Sequence, residues 1–183
     1  SGGLRERKRD ICVIGGAGRV GLPLSLAFAS VGKNVTICDI NQAALEKISS
    51  GLMPFKEDGA DEILEKVRGN NLHLTNSYQN LKDCKYIVVC VGTPVDEYLN
   101  PTYHRIQEFF STIEDHLVDD HIVILRSTVY PETTRNIRSY LKNKLPNLEV
   151  CFCPERISEG QSLTELKTLS YDAEVPIKVF LSL

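Results

Sequence analysis

Residues 16–21 read Gly-Ala-Gly-Arg-Val-Gly, between an apolar run, Asp10 to Ile14, and an apolar-periodic stretch, Val20 to Val31. The run has the make-up of a strand, and the stretch has the period of a helix that Gly32 and Asn34 bring to an end. A G-x-G-x-x-G pattern in that setting constrains the chain to a strand, a tight turn and a helix. Gly16 permits the turn, Gly18 lets backbone approach a bound group, and Gly21 lets the helix pack closely on the strand. The amino end of such a helix, with unpaired amides and the positive end of its dipole, suits a pyrophosphate. Gly16, Ala17, Gly18, Arg19, Val20 and Gly21 are therefore candidate cofactor contacts. Two readings of Arg19 stand side by side: a charge on the pyrophosphate, or an exposed arginine that merely begins a helix.

A second strand, Asn34 to Asp39, ends on an acid eighteen residues after Gly21. A carboxylate there accepts the ribose hydroxyl protons of a dinucleotide and repels the 2′-phosphate of NADP, and Ile40 and Asn41 bring no cation to offset that repulsion. NAD is the expected cofactor and Asp39 one of its contacts. The alternative for Asp39 is a cap on the helix Gln42 to Ser50.

Strand and helix signals continue to alternate along the chain. Gly51 to Leu72 reads as an insertion-like excursion with Met53-Pro54-Phe55 and a polar helix at Ala60 to Arg68. Strands follow near Leu72 to Thr75, Tyr86 to Val91, His121 to Leu125 and Leu148 to Cys153, with helices at Pro101 to Leu117 and Glu132 to Lys144. Continuous apolar strands belong to parallel sheets covered on both faces. The expected fold is α/β, a Rossmann-type doubly wound parallel sheet of about six strands ordered 3-2-1-4-5-6, with helices on both faces.

The 183 residues leave room for one well-buried domain, expected at 10–169. Residues 1–9 read as a tag remnant, Ser1-Gly2-Gly3, and a basic lead-in; residues 170–183 (SYDAEVPIKVFLSL) read as an atypical, truncated or out-of-frame tail. A net charge of −3 argues against nucleic acid as a partner. No apolar run approaches the roughly 20 residues needed to span a bilayer, so no membrane partner and a cytoplasmic location are expected. The six cysteines form no CxxC pair and the four histidines are scattered, so no metal site is expected and the cysteines read as small core residues.

Three later segments narrow the reading. They are Val91-Gly92-Thr93-Pro94-Val95-Asp96-Glu97 with Asn100-Pro101; Arg126-Ser127-Thr128-Val129-Tyr130-Pro131-Glu132-Thr133-Thr134-Arg135; and Cys153-Pro154-Glu155-Arg156-Ile157-Ser158-Glu159-Gly160. With Gly16 to Pro23, and in this order over Ile11 to Leu166, they resemble the signatures of the UDP-glucose/GDP-mannose dehydrogenase family. The Pro-Glu-Arg form resembles members acting on UDP-N-acetylhexosamines more than those acting on UDP-glucose. The resemblance implies a nucleotide-sugar substrate whose C6 alcohol is carried through an aldehyde to a carboxylate in two NAD-dependent oxidations, by way of a cysteine thioester. It implies that Gly92, Thr93, Pro94, Ser127, Thr128 and Glu159 meet the cofactor. Thr128 would orient the reacting oxygen or water, and Glu155 would act as general base. The nucleotide sugar would lie against Glu155, Arg156, Ile157, Ser158 and Glu159. Read without the resemblance, Ser127-Thr128 is a turn before a helix and Glu155 a cap.

The resemblance also has gaps. The family's nucleophilic cysteine, its substrate lysine and its second Rossmann-like domain have no counterpart here, so this polypeptide alone is expected to be inactive. Ala44 stands where several relatives carry a basic residue near the adenosine ribose. The family's full-length dimer, a homodimer built on a central helix, is not assured for this chain. Competing readings are a stand-alone module that binds NAD or a UDP-sugar, and a different Rossmann-type NAD oxidoreductase.

Overall fold

Ile11–Ile14 and Tyr86–Val89 are buried at every position, as only the innermost strands of a sheet covered on both faces can be. The computed structural model describes residues 11–90, 103–126 and 131–152. In chain order the elements are β1 (Ile11–Ile14), α1 (Gly21–Ser30), β2 (Val35–Cys38), α2 (Gln42–Ser49), α3 (Ala60–Val67), β3 (Leu72–Thr75), β4 (Tyr86–Val89), α4 (Tyr103–Ile113), β5 (Ile122–Leu125), α5 (Pro131–Lys144) and β6 (Glu149–Phe152), with 3₁₀ turns at Tyr78–Asp83 and Glu114–His116. The strands form one six-stranded sheet ordered β3-β2-β1-β4-β5-β6. Every neighbouring pair is parallel, as the sequence predicts.

Alternation along each strand divides the core in two. Ile11 and Val13 join Val35, Ile37, Tyr86 and Val88 on the face covered by Leu22, Leu26 and Phe28 of α1, Leu45 and Ile48 of α2, and Leu64 and Val67 of α3. Cys12 and Ile14 join Ile87, Val89, Val123 and Leu125 on the other face, under Phe110 and Ile113 of α4 and Ile137 and Leu141 of α5. α1 carries no charged residue and is buried along most of its length, because it lies between the sheet and α3. Pro23 is tolerated in its first turn, where a missing amide costs no intrahelical bond.

The stretch between α2 and β3 is not the insertion that its composition suggests. Ala60, Leu64 and Val67 are core residues, and β3 pairs with β2 from Val35↔Leu72 to Cys38↔Thr75 as the sheet's outer strand. The Asn71 amide donates 2.8 Å hydrogen bonds to the carbonyls of Ala29 and Lys33, which ties the end of α1 to this segment. Other departures are short. The helix expected to run to Leu117 ends at Ile113 and tightens into a 3₁₀ turn, and the 3₁₀ turn Tyr78–Asp83, begun by Ser77 accepting from the Gln79 amide, has no counterpart in the apolar pattern. Val91 and Cys153, expected to extend β4 and β6, lie outside the described residues.

His121, fully buried, clamps the start of β5. Its Nδ1 accepts from the Val118 amide at 3.1 Å and its Nε2 faces the Leu81 carbonyl at 2.8 Å, so the ring is neutral with its proton on Nε2. On the surface between the second 3₁₀ turn and α5, Glu114 accepts from the Tyr140 hydroxyl and, at 2.5 Å, from Lys144. The Lys144 ammonium first, then the Tyr140 hydroxyl, hold its carboxyl below the usual carboxylate range.

His121→Ala strands a half-buried amide and a buried carbonyl beside a cavity, and should cost about 2–4 kcal/mol in urea unfolding. Because the Glu114 carboxyl titrates lower when folded, its contribution is present above the unfolded carboxylate value and is lost as pH falls through the folded one. Urea midpoints of wild type and Glu114→Gln, compared from pH 7 to pH 3, should therefore converge toward the acid end. The difference should be small, since the Lys144 partner is exposed.

Candidate cofactor site

The turn after β1 is built from four glycines with four different constraints. Gly15 holds the left-handed conformation (φ 77), and its amide donates to the Cys38 carbonyl at 2.8 Å, linking the turn to the end of β2. The tight turn expected at Gly16 is therefore made one residue earlier. Gly16 is confined by space: a Cβ there would lie 2.7 Å from the Val13 carbonyl oxygen and 2.9 Å from Ile37 Cγ2. At Gly21 a Cβ would come within 2.2 Å of the Gly15 carbonyl oxygen, so α1 rests directly on the turn. Gly18 is exposed and meets only the Gly15 carbonyl oxygen, at 3.3 Å, which leaves its outer side open to an approaching group.

The amino end of α1 emerges from this turn. Val20 occupies the cap position and offers no side-chain hydrogen bond, and no acid lies in the first turn. By contrast α2 is capped by Asn41, whose side chain accepts from the Ala44 amide at 3.1 Å. Ala17, buried, donates its amide to Asp39 Oδ2 at 3.0 Å, and the Asn41 amide donates to Asp39 Oδ1 at 2.9 Å. The residue that caps α2 is thus Asn41. Asp39, half-buried at the end of β2, holds the turn and the start of α2 together with one bond to each oxygen. Each oxygen keeps a lone pair for a further donor. Arg19 is exposed, with its guanidinium carbon 5.3 Å from the centre of the Phe55 ring.

The adjacent strands leave the sheet at the same edge. The Cys90 amide donates to the Ile14 carbonyl at 2.8 Å, and the Arg126 amide to the Val89 carbonyl at 2.9 Å, so β4 and β5 end beside the glycine turn. β1 and β4 are neighbours from which the chain winds in opposite directions, the switch point where doubly wound sheets bind ligands. Gly92, Thr93 and Pro94 follow β4, Ser127 and Thr128 follow β5, and Glu155, Arg156, Ile157, Ser158 and Glu159 follow β6; all ten lie outside the described residues. Arg126, which opens the second of the three family-like segments, is 7% exposed at the end of β5, although an arginine after an apolar run carries no signal of burial in the sequence.

Cys12, Cys38 and Cys84 are buried free thiols and Cys90 a half-buried one. Hydrogen bonding to the Cys38 thiol, then to Cys84, together with burial, holds the Cys12 thiol well above its usual pKa, so it stays protonated and unreactive. Among the described residues no three His, Cys, Asp or Glu side chains are arranged to hold a metal ion, and no helix is long and apolar enough to cross a membrane.

The parts fit a dinucleotide. The space that a side chain would fill at Gly18, the amides at the start of α1 with no acid beside them, and the accepting oxygens of Asp39 suit a phosphate and a ribose diol in that order. Comparison with known proteins agrees. The chain is 30% identical over 152 residues to a UDP-glucose 6-dehydrogenase of Rickettsia felis, covering 82% of this chain and 34% of that one. It is 30% identical over 157 residues to a UDP-N-acetyl-D-mannosamine dehydrogenase of Pyrococcus horikoshii, covering 82% of this chain and 37% of that one. The solved structure of a UDP-D-ManNAc dehydrogenase from Pyrococcus horikoshii superposes with a TM-score of 0.78 at 29% identity, over 86% of this chain and 38% of the other. The chain thus spans little more than a third of the length of these relatives. The profile of the UDP-glucose/GDP-mannose dehydrogenase family, NAD binding domain, matches residues 9–171, and the chain belongs to that family as its NAD-binding domain.

Proposed function

We propose that this chain holds NAD for a nucleotide-sugar 6-dehydrogenase, which oxidises the C6 alcohol of a UDP-sugar of the UDP-N-acetylhexosamine or UDP-glucose kind to a uronate in two steps. The observation that carries the reading is the Asp39 carboxylate, fixed by the amides of Ala17 and Asn41 at the end of β2. In this reading its free lone pairs accept the adenosine ribose hydroxyls. Gly16, Ala17, Gly18, Arg19, Val20 and Gly21 cradle the pyrophosphate, and the side-chain-free outer face of Gly18 admits it. Bound NAD supplies the hydride acceptor.

The remaining roles rest on the sequence match to the family. Gly92, Thr93, Pro94, Ser127, Thr128 and Glu159 complete the cofactor site. Thr128 orients the reacting oxygen, and Glu155 takes up a proton as general base. Glu155, Arg156, Ile157, Ser158 and Glu159 line the nucleotide sugar, where Arg156 is suited to a phosphate. The names of the relatives support a nucleotide sugar as substrate, and the reading assigns the protein to the cytoplasm. A homodimer is the assembly that the family resemblance suggests.

Calorimetric titration tests the cofactor site. Wild type should bind NAD more tightly than NADP. Asp39→Ala should weaken NAD by about 10- to 100-fold, the worth of hydrogen bonds to a charged acceptor, and should narrow or reverse the preference over NADP because the repelling charge is gone. Equal NAD affinity in the variant, or no NAD binding by the folded wild type, would overturn the reading.

A further inference from the structure

Phe55 is not among the candidate site residues that the sequence offers, and it stands far along the chain from the glycine turn. In the fold it lies under Arg19, whose guanidinium carbon is 5.3 Å from its ring centre, within the range of a cation–π contact. The ring is not free to follow the arginine. It is half-buried and packed against the core on the α1 face of the sheet, together with Met53. The segment that carries it is held at both ends. The Leu52 amide donates to the Lys47 carbonyl at 2.9 Å where α2 stops, and the Ala60 amide donates to the Glu57 carbonyl at 3.2 Å where α3 starts, with Glu57 and Ala60 buried.

Arg19 itself extends from the exposed end of the glycine turn, immediately before α1. No carboxylate among the described residues is paired with it. A guanidinium held over a ring face loses much of its freedom but keeps N–H groups for phosphate oxygens. We infer that Phe55 is a positioning residue of the dinucleotide site: its ring holds the Arg19 guanidinium at the amino end of α1, ready for the pyrophosphate. The inference rests on the reading of residues 16–21 as the pyrophosphate cradle. It adds a specific partner from the α2–α3 segment, and it decides between the two readings of Arg19 in favour of the cofactor contact.

The test is NAD affinity by calorimetry in Arg19→Ala, Phe55→Ala, the double variant, Phe55→Leu and Phe55→Tyr, with Asp39→Ala as reference and urea midpoints to certify folding. Phe55→Ala should weaken NAD about two- to fivefold, the worth of an exposed cation–π contact. The double variant should bind no worse than Arg19→Ala, since the ring acts only through the arginine. Phe55→Tyr, which keeps a π face, should bind like wild type. Phe55→Leu, which keeps apolar bulk without that face, should behave like Phe55→Ala, and this pair decides the matter even if Phe55→Ala does not fold. Wild-type affinity in Phe55→Leu, independent losses in the double variant, or tighter binding in Phe55→Ala would overturn the inference. If Asp39→Ala weakens NAD while the Phe55 and Arg19 variants do not, the positioning role fails and the cofactor reading stands. If wild type binds no NAD, both fall.

Discussion

The first helix can lie against the turn after β1 only because position 21 has no side chain. A single Cβ there would sit 2.2 Å from the Gly15 carbonyl oxygen, closer than any packed atoms approach, and the obstacle is backbone that cannot swing aside. Much of the site depends on that contact. It aims the amino end of α1 across the end of β1, brings the Ala17 amide within 3.0 Å of Asp39, and buries the apolar length of α1 between the sheet and α3. A helix pushed away by a side chain would lose core packing and the geometry of the candidate site together, so here stability and the shape of that site draw on the same atoms.

The parallel sheet does the rest of the positioning. Since all six strands run the same way, the segments that follow β1, β2, β4, β5 and β6 start from one edge, although they are far apart in sequence. Asp39 reaches the glycine turn across 22 residues of chain because Ile14 and Cys38 are paired neighbours in the ladder. The same logic explains why motifs as distant as residues 92–94, 127–128 and 155–159 can be read as parts of one site. The buried thiols take no such part: Cys12 and Cys38 are core side chains on the face opposite α1, alongside Ile14 and Ile87.

Legibility varied with how local each feature is. Strands β1, β2, β4 and β5 are legible to within a residue or two because short runs rich in apolar and β-branched residues between turn signals have few alternatives. Asp39 was legible because the acid at the end of the second strand has a fixed relation to the glycines. Gly15 was not, since two glycines in succession give no hint of which takes the left-handed conformation. The integral role of the segment from Gly51 to Leu72 was also hidden. Its helix is polar enough to look peripheral, and only the packing of Ala60, Leu64 and Val67 makes it part of the core.

By itself the sequence determined the alternation of strands and helices, the order of the sheet, the glycine-rich turn between β1 and α1, and the NAD-binding family. Each of these depends on local pattern and on spacing along the chain, which residue identity encodes directly. Tertiary structure alone decided which glycine turns, that Asn41 rather than Asp39 caps α2, that His121 is a neutral clamp between Val118 and Leu81, and that Phe55 lies beneath Arg19. Those are contacts between segments whose separation in sequence says nothing of their distance in space, and they exist only once the sheet has brought its edges and connections into register.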